Sequence, residues 1–312
     1  MRFILKTLKP PKNHEVSMPS FYVLDVGHGN SAVLIDQKGV VVIDAGPKTE
    51  LLKFLLWKNI TVIDVLLLSH ADKDHIAGAI NLLAAEEIAI RRVYVNSDST
   101  KDSKVWDRLV QALYDADKRG ILDFEPSLTP HLNGKLDQGE VAIEVLAPNQ
   151  YIAAKGAGSR DREGRKLSSN SISAVIRLWF NGEPIVLLPG DIDQVGLDNL
   201  FENNVNLTAW LTVYPHHGGR AGSRNIKTYA AQFCEAVSPE IVIFSIRDND
   251  KQFPTKEVVE IVAKTLNHVR MFSTRSSEVL GRHIEKNGCE LHQDGVGHIH
   301  LDFESLKFKF IK

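Results

Sequence analysis

The chain is 312 residues long, 43% apolar and 24% charged, with a formal net charge of −2. That length buries an ample core in one large domain or two modest ones, and the balance is that of an ordinary globular protein. The near-neutral charge excludes a global basic field that would advertise nucleic acid, although not a local basic groove. Cys234 and Cys289 stand far apart with no C-x-x-C spacing, which excludes a disulfide scaffold and a thiolate zinc site. The amino terminus has an apolar stretch too short and too interrupted by lysine for a signal peptide, and no window reaches membrane-spanning length. The expectation is a soluble cytoplasmic protein with no membrane association.

Residues 1–19 carry Pro10, Pro11 and Pro19 and read as an arm or strand leading through a linker to one domain over 20–312. A strand over 21–26 ends in G-H-G-N-S-A at 27–32. That string fits a dinucleotide fingerprint, but strands over 32–35 and 40–43, joined by Gln37-Lys38-Gly39, follow where a helix is required, so the dinucleotide reading fails. A helix over 49–58, a strand over 62–68, a helix over 76–87, a strand over 93–96 and a helix over 104–118 come next. Loop and short strand fill 119–140 before a strand over 141–146.

Residues 156–169 are glycine-rich and basic, with Arg160, Arg162, Arg165 and Lys166, and read as a mobile loop, solvated more readily than clamped on phosphate. Strands over 174–180 and 185–188 form a hairpin through Asn181-Gly182. A helix over 194–201, a strand over 209–214, a helix over 225–237, a strand over 240–246 and a helix over 255–266 follow, and strands over 269–273, 279–284 and 298–303 close the chain. Two β-rich halves, each carrying helices, suggest two sheets packed face to face with helices outside.

The chemistry gathers where apolar strands stop. The run over 62–68 ends at Ser69 and delivers His70, Asp72, Asp74 and His75 within six positions. Two carboxylates and two imidazoles crowded at a partly buried corner are costly unless a divalent cation neutralises them, and that donor mixture suits Zn²⁺, Mn²⁺ or Fe²⁺ better than Ca²⁺ or Mg²⁺. Asp191 in P-G-D and His216-His217 in P-H-H-G-G stand past two further strands, where a carboxylate can bridge two cations and a held hydroxide becomes a nucleophile at neutral pH.

The strings D-V-G-H-G-N, V-I-D-A-G-P, L-S-H-A-D-K-D-H-I-A-G, N-S-I-S, L-L-P-G-D-I and V-Y-P-H-H-G-G, in this order, resemble the metallo-β-lactamase fold hydrolases. They are most similar to the hydrolase domain of the ComEC-type competence proteins, with H-x-D-x-D-H in place of the commoner H-x-H-x-D-H. The resemblance covers about residues 20–290 and implies a single-domain α/β αββα sandwich. It implies that His70 and Asp72 serve a first metal, Asp74 and His75 a second, that Asp191 bridges, that His217 completes the second site, and that Asp44 orients a ligand. Asn170 and Ser173 stand where relatives place a third histidine, which favours Mn²⁺ or a loosely held second ion over a tight dizinc pair. His28 and Asn30 replace a glutamine and an aspartate of the family string.

The function so implied is metal-dependent hydrolysis by a metal-bound hydroxide with one or two Zn or Mn ions, acting as a phosphodiesterase or nuclease on a nucleic acid substrate. Asp74, Asp191 and His216 are the catalytic candidates; His28 and Arg220 are the substrate-binding ones. Rival readings are a small-molecule phosphoester or lactone hydrolase and a non-catalytic subunit that binds nucleic acid or protein. A partner protein in a multi-component system is a further expectation. His292, His298 and His300 read as surface or packing residues.

Overall fold

The computed structural model describes residues 18–311 except 223, 224, 249, 267 and 288–294, so residues 1–17 of the expected arm over 1–19 and His292 lie outside the described residues. Two large sheets face each other. In spatial order the first runs Lys307–Ile311, His298–Asp302, Ser20–Val23, Ala32–Asp36, Gly39–Ile43, Val65–Leu68, Arg92–Val95 and Asp123–Glu125. The second runs Arg270–Ser273, Ile241–Phe244, Leu211–Val213, Glu183–Leu188, Val175–Phe180 and Ala142–Ala147. Each sheet changes from antiparallel hairpins to parallel crossovers partway across: Gly39–Ile43 pairs parallel with Val65–Leu68, and Glu183–Leu188 parallel with Leu211–Val213. The crossovers place helices on the outer face of each sheet, which gives the αββα sandwich.

The apolar strand runs follow from burial on both faces. Val65 and Leu67 point into the core between the sheets, while Leu66 and Leu68 pack under the helices Glu50–Trp57, Lys73–Ala84 and Lys104–Lys118. In the second sheet Ile241 and Ile243 point inward, and Val242 and Phe244 pack under Gln194–Glu202, Ile226–Val237 and Lys256–Thr265. Period-two alternation disappears because neither face meets water.

Three expectations are corrected. Residues 279–284 lie in a helix, Glu278–Asn287, whose first turn is capped by Ser277 Oγ accepting from Leu280 N at 3.2 Å. The basic segment over 156–169 is a tied turn rather than a free loop: the backbones of Arg160 and Lys166 pair antiparallel, and Asp161 accepts Arg165 N at 2.8 Å and Arg165 Nε at 2.6 Å. Arg165 is further committed to Asp198 and Glu202 and is not available as a phosphate clamp, and Arg162 lies over the Tyr151 ring at 4.7 Å. The helix expected from 76 begins at Lys73, three residues earlier. Among the described residues, no helix is long and apolar enough to cross a membrane. His298 accepts from Asp25 N at 2.9 Å, and His300 stacks on Tyr22 at 4.5 Å, so both pack as expected.

Candidate metal centre

Both sheets present ligands at the same end. Because the helix Lys73–Ala84 starts directly after the S-H-A-D corner, Asp74 and His75 sit in its first turn, where the positive end of the helix dipole favours a carboxylate. From the other sheet, Asp191 follows Glu183–Leu188 and His217 follows Leu211–Val213. Ligand atoms of Asp74, His75, Asp191 and His217 all lie within 4.8 Å of one another. His217 Nε2 is 3.1 Å from Asp74 Oδ2, His75 Nε2 is 3.4 Å from Asp191 Oδ1, and His75 Nε2 is 4.0 Å from Asp74 Oδ2.

The sheets must approach closely to achieve this. Ala174 N donates to Ser69 O at 2.8 Å across the gap, and Gly190, at φ 52°, lies where any Cβ would collide with Ser173 Oγ and Ser69. Ser173 Oγ in turn accepts from Asp191 N at 3.1 Å, which aims that carboxylate. His216 and His217 both adopt left-handed backbone, at φ 51° and 55°, a posture that costs about 1–3 kcal/mol per non-glycine residue and is sustained only by surrounding structure.

Supporting groups set the tautomers. Asp44 Oδ2 meets His75 Nδ1 at 2.7 Å and accepts Ser69 Oγ at 2.9 Å, while Asp44 Oδ1 accepts Ser69 N at 2.7 Å. His217 Nδ1 lies 2.7 Å from the Ser245 carbonyl, and Ser245 Oγ donates to Gly29 O at 2.6 Å. Both pairings place the proton on Nδ1 and turn the Nε2 lone pair toward the shared point, the arrangement by which metal-binding imidazoles are oriented. Asp44→Asn keeps the side-chain shape but weakens the hold on His75. We expect a 10–100-fold loss of metal affinity in a chelator competition, whereas an unchanged affinity would remove Asp44 from this role.

Burial alone would push both ligand carboxyls up, and the neighbours overrule it. His75 and His216 hold Asp191 well below the usual carboxylate range, and the His217 hydrogen bond with nearby His75 does the same for Asp74. Burial works against a charged His75 too, but Asp191 and Asp44 raise its pKa well above the ordinary value. His70 moves the other way: full burial, then neighbouring His75, lower it to about 4. The two carboxylates thus draw a positive charge to the shared point, a proton on His75 Nε2 where no cation is held. Two carboxylates and two imidazoles at these separations fit a divalent cation, since bonds of about 2.0–2.2 Å in tetrahedral geometry put ligand atoms roughly 3.3–3.6 Å apart.

The remaining candidates sit around this group. His28 Nε2 is 3.9 Å from Asp74 Oδ2, and its ring lies 4.2 Å from that of His217. His216 N donates to Asp191 Oδ1 at 3.0 Å, its Nδ1 is 3.6 Å from Asp191 Oδ2, and its Nε2 is buried without a hydrogen-bond partner. His70 is 3.8 Å from Asp72 and its ring lies tilted against that of His75 at 4.2 Å, but neither His70 nor Asp72 belongs to the four-ligand group. Asp72 is paired with Lys101 instead. Asn170 Oδ1 is buried without a hydrogen-bond partner. Arg220 is exposed and lines a cavity of about 430 Å³ with His28, His216, Gln252, Phe253 and Thr255 at the edge of the centre.

Sequence reasoning missed Lys101, Ser245 and the wall over 250–255. The signal for Lys101 was present: N-S-D-S-T-K stands just past an apolar strand, like the three ligand-bearing strings.

Two facing sheets with convergent carboxylates and imidazoles at one end define a metallo-hydrolase. Residues 24–219 match the metallo-β-lactamase superfamily, and the chain belongs to that superfamily. Among known proteins, ComE operon protein 3 of Bacillus subtilis (strain 168) is 25% identical over 268 residues, covering 78% of this chain and 30% of that protein. The chain thus spans less than a third of that relative's length, and the ComEC-type resemblance is borne out. The metallo-β-lactamase fold protein YhfI from Bacillus subtilis superposes with a TM-score of 0.50 at 13% identity, covering 82% of this chain and 96% of that one. That likeness is one of fold.

Proposed function

We propose that the chain is a metal-dependent phosphodiesterase acting on nucleic acid. The observation that carries this reading is the convergence of Asp74, His75, Asp191 and His217 beside an open cavity whose wall holds cationic and proton-donating groups. A divalent cation held by those four side chains supplies Lewis acidity and an activated water. Around it, Arg220 and His28 bind the anionic oxygens of the substrate. His216 is fixed by its backbone bond to Asp191 and keeps Nε2 for a proton at the leaving oxygen. The ComEC-type resemblance supports nucleic acid as the substrate class. A wholly non-catalytic binding subunit has no use for four convergent ligands and two oriented imidazoles.

The test is a substrate panel of single-stranded DNA, double-stranded DNA, RNA and bis-p-nitrophenyl phosphate, with Mn²⁺, Zn²⁺ or Mg²⁺. The expected result is diester cleavage that disappears on chelation and returns with Mn²⁺ or Zn²⁺. Binding to the strand should fall steeply with salt, because phosphate contacts release counterions. Turnover of a lactone or a small phosphoester alone, insensitive to salt, would transfer the assignment to a small-molecule hydrolase.

A further inference from the structure

Beside the four-ligand group lies a second set of polar atoms that the proposed ion leaves unused. His70 Nε2 and Asn170 Oδ1 are both buried and without hydrogen-bond partners among the described residues, and Asp72 Oδ2 is 3.8 Å from His70 Nε2. The imidazole nitrogen and the carboxylate make an acceptor pair that asks for a cation. Lys101 Nζ is ion-paired with Asp72 Oδ1, with only 26% of the lysine side chain exposed, and takes up that carboxylate while His70 Nε2 stays without a partner.

Lys101 is held there by its loop rather than by chance. The loop leaves the strand Arg92–Val95, and its buried Asp98 accepts Thr100 N at 2.9 Å and Thr100 Oγ1 at 2.8 Å. The other carboxylate oxygen of Asp98 is bonded to Ser169 Oγ, the residue before Asn170. The lysine and the amide are thus tied to one frame across the two sheets. A divalent ion on Asp72 would have to displace an ammonium whose backbone is anchored, or sit against it and suffer like-charge repulsion.

We infer that the Lys101 ammonium occupies the Asp72 carboxylate in place of an ion and so keeps a second ion out of the His70–Asp72 half of the centre. The chain then holds a single tightly bound divalent cation, in the Asp74–His75–Asp191–His217 half. An ammonium has three donors, and Asp72 uses one, so Lys101 retains capacity for an anionic oxygen of the substrate. This inference rests on the metal-centre reading and sharpens it, since it gives the site one metal charge and one lysine charge in place of two metal charges.

The experiment is metal stoichiometry by plasma mass spectrometry after equilibration with excess Mn²⁺ or Zn²⁺ and gel filtration. The wild-type chain should carry one equivalent. Lys101→Met, which keeps the length of the side chain without its charge, should gain a second equivalent, and Lys101→Arg should stay at one. Asp72→Asn should also stay at one. Two equivalents in the wild type, falling to one in Asp72→Asn, would overturn the inference, as would a Lys101→Met chain that still carries one. Absence of any bound ion would overturn the metal centre itself. One bound ion without diester cleavage would sink only the substrate assignment.

Discussion

Asp191→Ala should lower kcat/KM for a phosphodiester by about a thousandfold or more and strip the centre of tightly bound metal, because the residue does several jobs at once. Its Oδ1 lies 3.4 Å from His75 Nε2 and accepts His216 N at 3.0 Å, and its Oδ2 is 3.6 Å from His216 Nδ1. Removing the carboxylate takes one donor from the ion and deletes a charge that raises the His75 pKa. It also frees the left-handed turn that holds His216 and His217. A thousandfold is about 4 kcal/mol of transition-state free energy, which is large for one side chain but reasonable where ligand and scaffold are lost together. The check has two readouts, steady-state kinetics and metal per chain. A variant that keeps both within a few fold would show that the centre lies elsewhere.

The second large effect is on stability. Arg177 stands on the outer face of Val175–Phe180 and is 4% exposed. Its guanidinium donates to Glu144 Oε2 at 3.0 and 2.8 Å, to Asn206 O at 2.9 Å and to Thr208 O at 3.2 Å, and lies over the Trp179 ring at 4.6 Å. Trp179 Nε1 donates to the same Glu144 oxygen at 2.7 Å. Arg177→Met keeps much of the volume but leaves two carbonyls without their donor and Glu144 with Trp179 alone, a loss of about 3 kcal/mol. Thermal denaturation should drop by roughly 4–5 °C for a protein of this size, with the metal content unchanged. A drop of less than about 2 °C would mean that water replaces the guanidinium at little cost.

How much of this was legible beforehand depended on what each signal encodes. Burial on both faces turns a strand into an unbroken apolar run, so Val65, Leu66, Leu67 and Leu68 announced a central strand, and the polar residues past such runs announced the ligands. Asp74, His75, Asp191 and His217 were therefore visible as candidates, and their meeting is a matter of topology that the ordered strings of the resemblance implied. Residues 279–284 misled because V-L-G-R-H-I is too short for its period to discriminate; Ser277, three positions before Leu280, was the overlooked start signal for a helix. The basic turn misled for another reason. Arg165 finds Asp198 and Glu202 only after the chain folds back, and the partners of a charge at 33 or 37 residues' separation are not written beside it. Lys101 belongs to the same class: its pairing with Asp72, 29 residues away, depends on the Asp98 to Ser169 tie.

Asp74 and His75 belong to one leaf of the sandwich and Asp191 and His217 to the other, so whatever ion they grip also rivets the two leaves together. Loading the rivet favours the assembled molecule by an amount that grows with the logarithm of free metal, so heat resistance and metal supply become a single variable. Withdrawal of such an ion would loosen the seam between the two leaves.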